Sequence, residues 1–115
     1  MEHTNLKFIA LYQIPASVMG DWAKTDLNTR KAAEEKMKAE WQKWTSDNAN
    51  VLKLTEACGK TKRITASGIS DTRNDICLYT ILEAESHEAA AKIFENHPHL
   101  QITQASIEVM ALRTM

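Results

Sequence analysis

Three segments of this chain, Lys7–Ile14, Ile76–Leu82 and Ser106–Leu112, combine β-forming residues with apolar side chains at odd and even positions alike. A strand with one face in water alternates apolar with polar residues, whereas a strand covered on both faces reads as a nearly unbroken apolar run. A chain of 115 residues built on such strands must therefore cover both faces of its sheet. Its own helices can cover one of them.

The sequence supplies those helices. Asp26 is a good N-cap for a helix running to about Asn48, with Ala33, Met37, Trp41 and Trp44 on one stripe and charged residues elsewhere. Pairs such as Glu34 with Lys38 and Lys36 with Glu40 support it at i,i+4 spacing. Ahead of it, Ala16–Thr25 reads as a short helical stretch weakened by Gly20. Ser86 caps a further helix, about His87–Asn96, that buries Ala89, Ala90, Ile93 and Phe94 and is stopped by Pro98. Between the two long helical regions, Val51–Ala57 reads as an irregular connection. Gly59–Ala66 then reads as an edge strand, and Gly68–Asp75 as a turn-rich hairpin connection.

The resulting order of strand, helix, strand, strand, helix, strand predicts an α+β, ferredoxin-like βαββαβ fold with an antiparallel sheet and both helices on one face. The opposite face stays bare in a monomer, and a large apolar patch on such a chain marks a partner surface. The expectation is a single domain over residues 1–115 that forms a homodimer packed through its sheets.

Charge and composition narrow the partners. Fourteen Lys and Arg against fifteen Asp and Glu leave a formal charge of -1, which removes the electrostatic basis for binding nucleic acid. No run approaches the length a membrane helix needs, and no signal peptide is evident, so no membrane partner is expected. Cys58 and Cys77 lack metal-site spacing and read as reduced thiols, which points to the cytoplasm. Gly-rich phosphate loops, zinc-type cysteine pairs and a Ser-centred nucleophile elbow are missing from the sequence, and no cofactor is expected.

Several short motifs in serial order resemble the YCII-related proteins. They are Gly59-Lys60-Thr61-Lys62-Arg63-Ile64, Gly68-Ile69-Ser70-Asp71-Thr72-Arg73-Asn74-Asp75, Glu83–Ala90, His97-Pro98-His99 and Ser106-Ile107-Glu108-Val109-Met110. The likeness covers most of Lys7–Met110 and implies a dimeric α+β barrel. Some YCII-type members carry a His near the start of the first helix and an Asp close to the second strand as an acid and base pair. Here Gln13–Asn50 contains no His, so any proton-transfer chemistry must rest on other residues.

His97 and His99 are the first candidates, because two imidazoles flanking a rigid proline can converge on a ligand, a proton or a metal. The same three residues also make an ordinary helix stop, with Pro98 ending the helix and His97 capping its carbonyls. Asp71, Arg73 and Asp75 form a charged loop suited to a polar ligand or to a dimer mate, although turn residues often bond only their own backbone. Lys60, Lys62 and Arg63 make a basic cluster that can hold a carboxylate or phosphate, or simply guard an edge strand. Trp41, Trp44 and Tyr12 belong to the core or to the wall of an aromatic pocket, into which Tyr79 can point its hydroxyl.

The sequence therefore describes a homodimer that binds a small organic molecule. Any reaction would be cofactor-independent proton transfer of the isomerase or lyase type. His97 or His99 would be acid or base, Asp71 or Asp75 would orient it, and Arg73, Tyr79, Trp41, Trp44 and Tyr12 would contact the ligand. The alternative is a non-catalytic dimeric interaction module, and the third reading is a metal protein using the His-Pro-His turn. Whether the chain is an enzyme is left open by the sequence.

Overall fold

The structure, a computed structural model, describes residues 5–114; residues 1–4 and Met115 lie outside the described residues. The main sheet is built from β1 (Leu6–Gln13), β2 (Leu52–Ala57), β5 (Ile76–Ala84) and β6 (Ser106–Ala111). They stand in the order β2-β5-β1-β6, every neighbouring pair antiparallel. The two central strands are β1 and β5, and each sends its helical crossover past the other to an edge strand. This is the ferredoxin-like α+β arrangement.

The crossover from β1 to β2 contains α1 (Ala16–Ala23) and α2 (Leu27–Asp47). Asp26 starts α2 as a side-chain cap, its carboxylate accepting from the amides of Asn28 and Thr29 at 3.1 and 3.2 Å. Asn48 ends it. The second crossover holds α3 (His87–Ile93), capped by the Ser86 hydroxyl on the Ala89 amide, and a 3-10 turn at Pro98–Gln101. Pro98 does not stop α3. The helix has already ended at Ile93, and Asn96 at φ 62° turns the chain in the left-handed region that asparagine tolerates better than most residues.

The expected edge strand is also displaced. Val51–Ala57 is the source of the true edge strand β2, whose register on β5 shifts between Leu52 and Leu54. That irregularity destroys the period of two on which a strand is recognised in sequence. The segment read as the edge is instead β3 (Thr61–Thr65), which pairs with β4 (Gly68–Thr72) in a separate two-stranded arm. Gly68, at φ 131°, occupies a backbone conformation closed to most other residues and closes the arm's turn.

One face of the sheet meets the helices. Phe8, Ala10 and Tyr12 of β1, Leu82 and Ala84 of β5, and Ala90 and Phe94 from the second crossover form the buried core. The Tyr12 hydroxyl sits 2.9 Å from the Thr80 hydroxyl, which lies 2.8 Å from that of Thr55, so three strands are linked by a chain of hydroxyl groups. The opposite face presents Ile9 and Leu11 of β1 opposite Ile81 and Tyr79 of β5, flanked by Leu54 and Met110. Among the described residues, no helix or strand forms a layer over it.

Replacing Thr80 by Val keeps the side-chain shape but strips the middle hydroxyl from that chain and leaves the Tyr12 hydroxyl buried without its partner. The expected cost is about 1–3 kcal/mol. Thermal denaturation followed by circular dichroism should show a clear fall in Tm, and an unchanged Tm would mean the hydroxyl chain contributes nothing net.

Candidate functional site

The candidate residues fall into two separate places. The first is a closed aromatic knot between the sheet and the helices. Trp41 stacks on Tyr12 with ring centroids 5.3 Å apart, and His97 stands edge-on to Trp41 and Trp44 at 4.4 and 4.3 Å. Phe94 and His99 complete the ring set around Tyr12. Both histidines are 1% exposed, so solvent does not reach their rings.

Their hydrogen bonds are directed at backbone. His97 Nδ1 accepts from the His99 amide at 3.0 Å, which caps the start of the 3-10 turn rather than the carbonyl end of α3. The proton of neutral His97 must then sit on Nε2, an atom with no hydrogen-bond partner that lies in the cage of indole and phenol rings. His99 Nε2 donates to the Gln13 carbonyl at 3.0 Å. Burial lowers the pKa of His97 to about 4, with the neighbouring His99 a smaller cause. Burial also lowers that of His99, while the Gln13 and Ser106 backbone pulls it partly back. Tyr12, equally buried, has its pKa raised to about 12 by desolvation. The knot is thus a set of neutral rings near pH 7.

The metal reading finds no set of ligands. Among the described residues, no group of three or more His, Cys, Asp or Glu side chains is placed to hold a metal ion. His87, the nearest further imidazole in sequence, spends Nε2 on the Val109 carbonyl at 2.7 Å.

The second place is open. A cleft of about 870 Å³ lies at the foot of the β3–β4 arm, with Ile14, Met19 and Ile76 as apolar lining and Lys60, Lys62, Asp71, Arg73, Asn74 and Asp75 as polar lining. Lys62 is held by Asp71 at 2.6 Å across the arm. Among the described residues, Lys60, Arg73 and Asp75 take part in no ion pair, so two cations and one carboxylate on the cleft wall are free to meet a solute. Arg63, the third member of the basic cluster, does not line the cleft. Cys58 and Cys77 do line it, as free thiols, a role their spacing in sequence did not signal. A smaller adjoining depression of about 450 Å³ is floored by Ile9, Leu11, Ile76 and Tyr79 on the bare sheet face. There the Tyr79 hydroxyl donates to the Glu56 carboxylate, which raises its pKa.

The structure therefore brings Asp71, Arg73 and Asp75 together, with Tyr79 in the next depression, and brings His97, His99, Trp41, Trp44 and Tyr12 together elsewhere. Neither histidine lines either cleft, and neither bonds to Asp71 or Asp75. The sheet separates Tyr79 from the knot: Tyr12 points to the helices, whereas Leu11 and Tyr79 point away from them.

No protein-family model matches the chain, and no curated protein matches it. Among solved structures, the chain is similar to 5-chloro-2-hydroxyhydroquinone dehydrochlorinase (TftG) from Burkholderia phenoliruptrix AC1100, solved in complex with 2,5-dihydroxybenzoquinone. The identity is 16%, with 90% of each chain covered and a TM-score of 0.45. No helix of the described residues is long and apolar enough to cross a membrane.

The neutral knot predicts a pH dependence. Unfolded His97 takes up a proton near pH 6.5 but folded His97 only near 4, so between these values the unfolded state binds more protons. Stability is then complete above about pH 6.5 and falls as the pH drops toward 4. From His97 alone, urea denaturation should give a stability about 2 kcal/mol lower at pH 5 than at pH 7.5. A His97→Phe variant should flatten that slope; a wild-type profile already flat would show that the imidazole charges inside the fold.

Proposed function

We propose that this chain acts as a homodimer that binds a small anionic organic molecule in the cleft at the foot of the β3–β4 arm. The observation that carries this reading is the pair of unpaired cations, Lys60 and Arg73, on the wall of a cleft with an apolar floor. A planar guanidinium free of any carboxylate suits a bidentate carboxylate or phosphate, and the apolar lining of Ile14, Met19 and Ile76 suits a carbon skeleton. The bare sheet face supports the dimer. The resemblance to the YCII-related proteins agrees with both parts.

Within this reading, Arg73 holds the anionic group and Tyr79 borders the neighbouring depression. Proton transfer without a cofactor, an isomerisation or elimination, would fall to the Asp75 carboxylate, since Asp71 is engaged with Lys62. His97 and His99 serve the aromatic knot instead. A second reading, a dimeric module that binds another protein and no small molecule, is favoured by the burial of both histidines. It shares the dimer and lacks the ligand.

Native mass spectrometry of tag-free protein purified from cells separates these readings. The expected result is a dimer carrying additional mass. Titration with benzoate and succinate, followed by calorimetry, should then show binding that Arg73→Ala weakens about tenfold or more, the loss of a charge-assisted hydrogen bond of at least 1.4 kcal/mol. A bare dimer that binds neither carboxylate supports the interaction module, and a monomer at micromolar concentration removes the homodimer from both readings.

A further inference from the structure

The β3–β4 arm is anomalous as part of a lone protomer. Its ten strand residues pair only with one another, and only Thr61 and Thr72, at its foot, are even half-buried. Isolated two-stranded hairpins are marginal in water, and they persist when one face packs on something. In the register of the arm, Ile64 lies directly opposite Ile69, and these are the most exposed large apolar side chains described in the chain, at 75% and 71%. The Lys62–Asp71 ion pair stands on the same face of the ribbon, one step toward the foot. An apolar pair bordered by a charged pair is the composition of an interface centre with its rim.

The cover must be large. The chain exposes 8624 Å², against roughly 6,300 Å² for a compact protein of 13.0 kDa. Its radius of gyration is 16.5 Å, where roughly 13 Å fits 115 residues. The excess, roughly 2,300 Å² per protomer, is more than the roughly 800 Å² that each partner buries in an interface of ordinary size. The arm is also continuous with the bare sheet face. Its foot, at Lys60–Lys62, and the sheet residues Ile9, Leu11 and Tyr79 line one depression, so a body seated on the sheet face meets the arm.

We infer that the β3–β4 arm clasps a second copy of this chain, with Ile64 and Ile69 packed against the partner protomer, and that this contact fixes the arm as the outer wall of the ligand cleft. The inference rests on the homodimer proposed above and adds the element that closes around it. A two-fold dimer uses each arm once in each direction, which makes the contact self-complementary. It also explains how an arm without support from its own protomer can form a binding wall. Lys60, Lys62 and Asp71 are then carried by a segment that only the partner holds in place.

Two measurements test this. In sedimentation velocity, the Ile64→Asp/Ile69→Asp double variant should dissociate at a concentration about tenfold or more above that of the wild-type dimer. Both positions are exposed in the protomer and lie outside its core, so the helical circular dichroism signal should be unchanged. In hydrogen exchange, the arm amides of wild-type protein should be protected at concentrations where the dimer forms and exposed on dilution to monomer. A wild-type dimer whose dissociation constant is unmoved by the two aspartates, or whose arm exchanges equally fast as monomer and dimer, overturns the clasp and leaves the sheet-face dimer standing. A wild-type chain that stays monomeric overturns both.

Discussion

The position of Tyr12 is the constraint on which the rest of the structure depends. Its ring is gripped by Trp41 of α2, by Phe94 at the end of α3 and by both histidines of the following turn. Its hydroxyl ties β1 to β5, and through Thr80 to β2. One side chain thus fixes the sheet, the two long crossovers and the 3-10 turn relative to one another. The His-Pro-His segment follows from that geometry. Pro98 sets the backbone for the turn, His97 caps its first free amide, and the two rings fill space that a purely aliphatic core would leave uneven around four aromatic rings. Imidazoles are accepted there because each remains neutral and each has a backbone partner.

Much of this fold is legible in the sequence because the relevant signals are local. Asp26 and Ser86 are caps whose side chains must find nearby amides, and the apolar runs of β1 and β5 mark them as strands. The stripe of Met37, Trp41 and Trp44 follows from helical spacing alone. What was not legible depends on long-range pairing. β2 is interrupted by a bulge and carries Lys53 and Glu56, whose partners, Glu83 and Tyr79, are on another strand. The arm has the alternation of a strand pair, but sequence cannot show that it folds on itself instead of joining the main sheet.

The candidate site was harder to read, for a related reason. Histidines next to a proline, aromatic residues on a helix and charged residues in a loop suggest one pocket only if they share a face. Side chains alternate across a strand, so Tyr12 and Leu11 point to opposite sides of the sheet although they are neighbours in the chain. The register of β1 on β5 therefore parts Tyr79 from Tyr12, and the arm and its foot carry Asp71, Arg73 and Asp75 to a wet cleft away from the dry knot. Asp71 in β4 and Asp75, three residues beyond that strand, likewise differ, because a 2.6 Å contact engages Asp71 with Lys62. No spacing rule reveals which of two carboxylates has found its cation.

The same division keeps the sealed rings apart from the unpaired charges. The helix side gathers neutral, interlocked rings whose desolvation favours rigidity, and a group sealed there exchanges protons with solvent only if the fold opens. The open cleft keeps its unpaired cations and its free carboxylate, next to the depression on the apolar sheet surface. Charges left unpaired in this way retain their full capacity to attract a solute, whereas a charge already neutralised within the protein must first be released. A surface that is apolar at its centre and unpaired at its margin is incomplete in two respects. In the proposed dimer the apolar part is covered by the partner protomer. In the proposed reading the charged part takes a small anion, because its cations lie in a recess. Two occupants of different size on one face are compatible only if they are adjacent, and the arm stands where the sheet surface passes into the cleft.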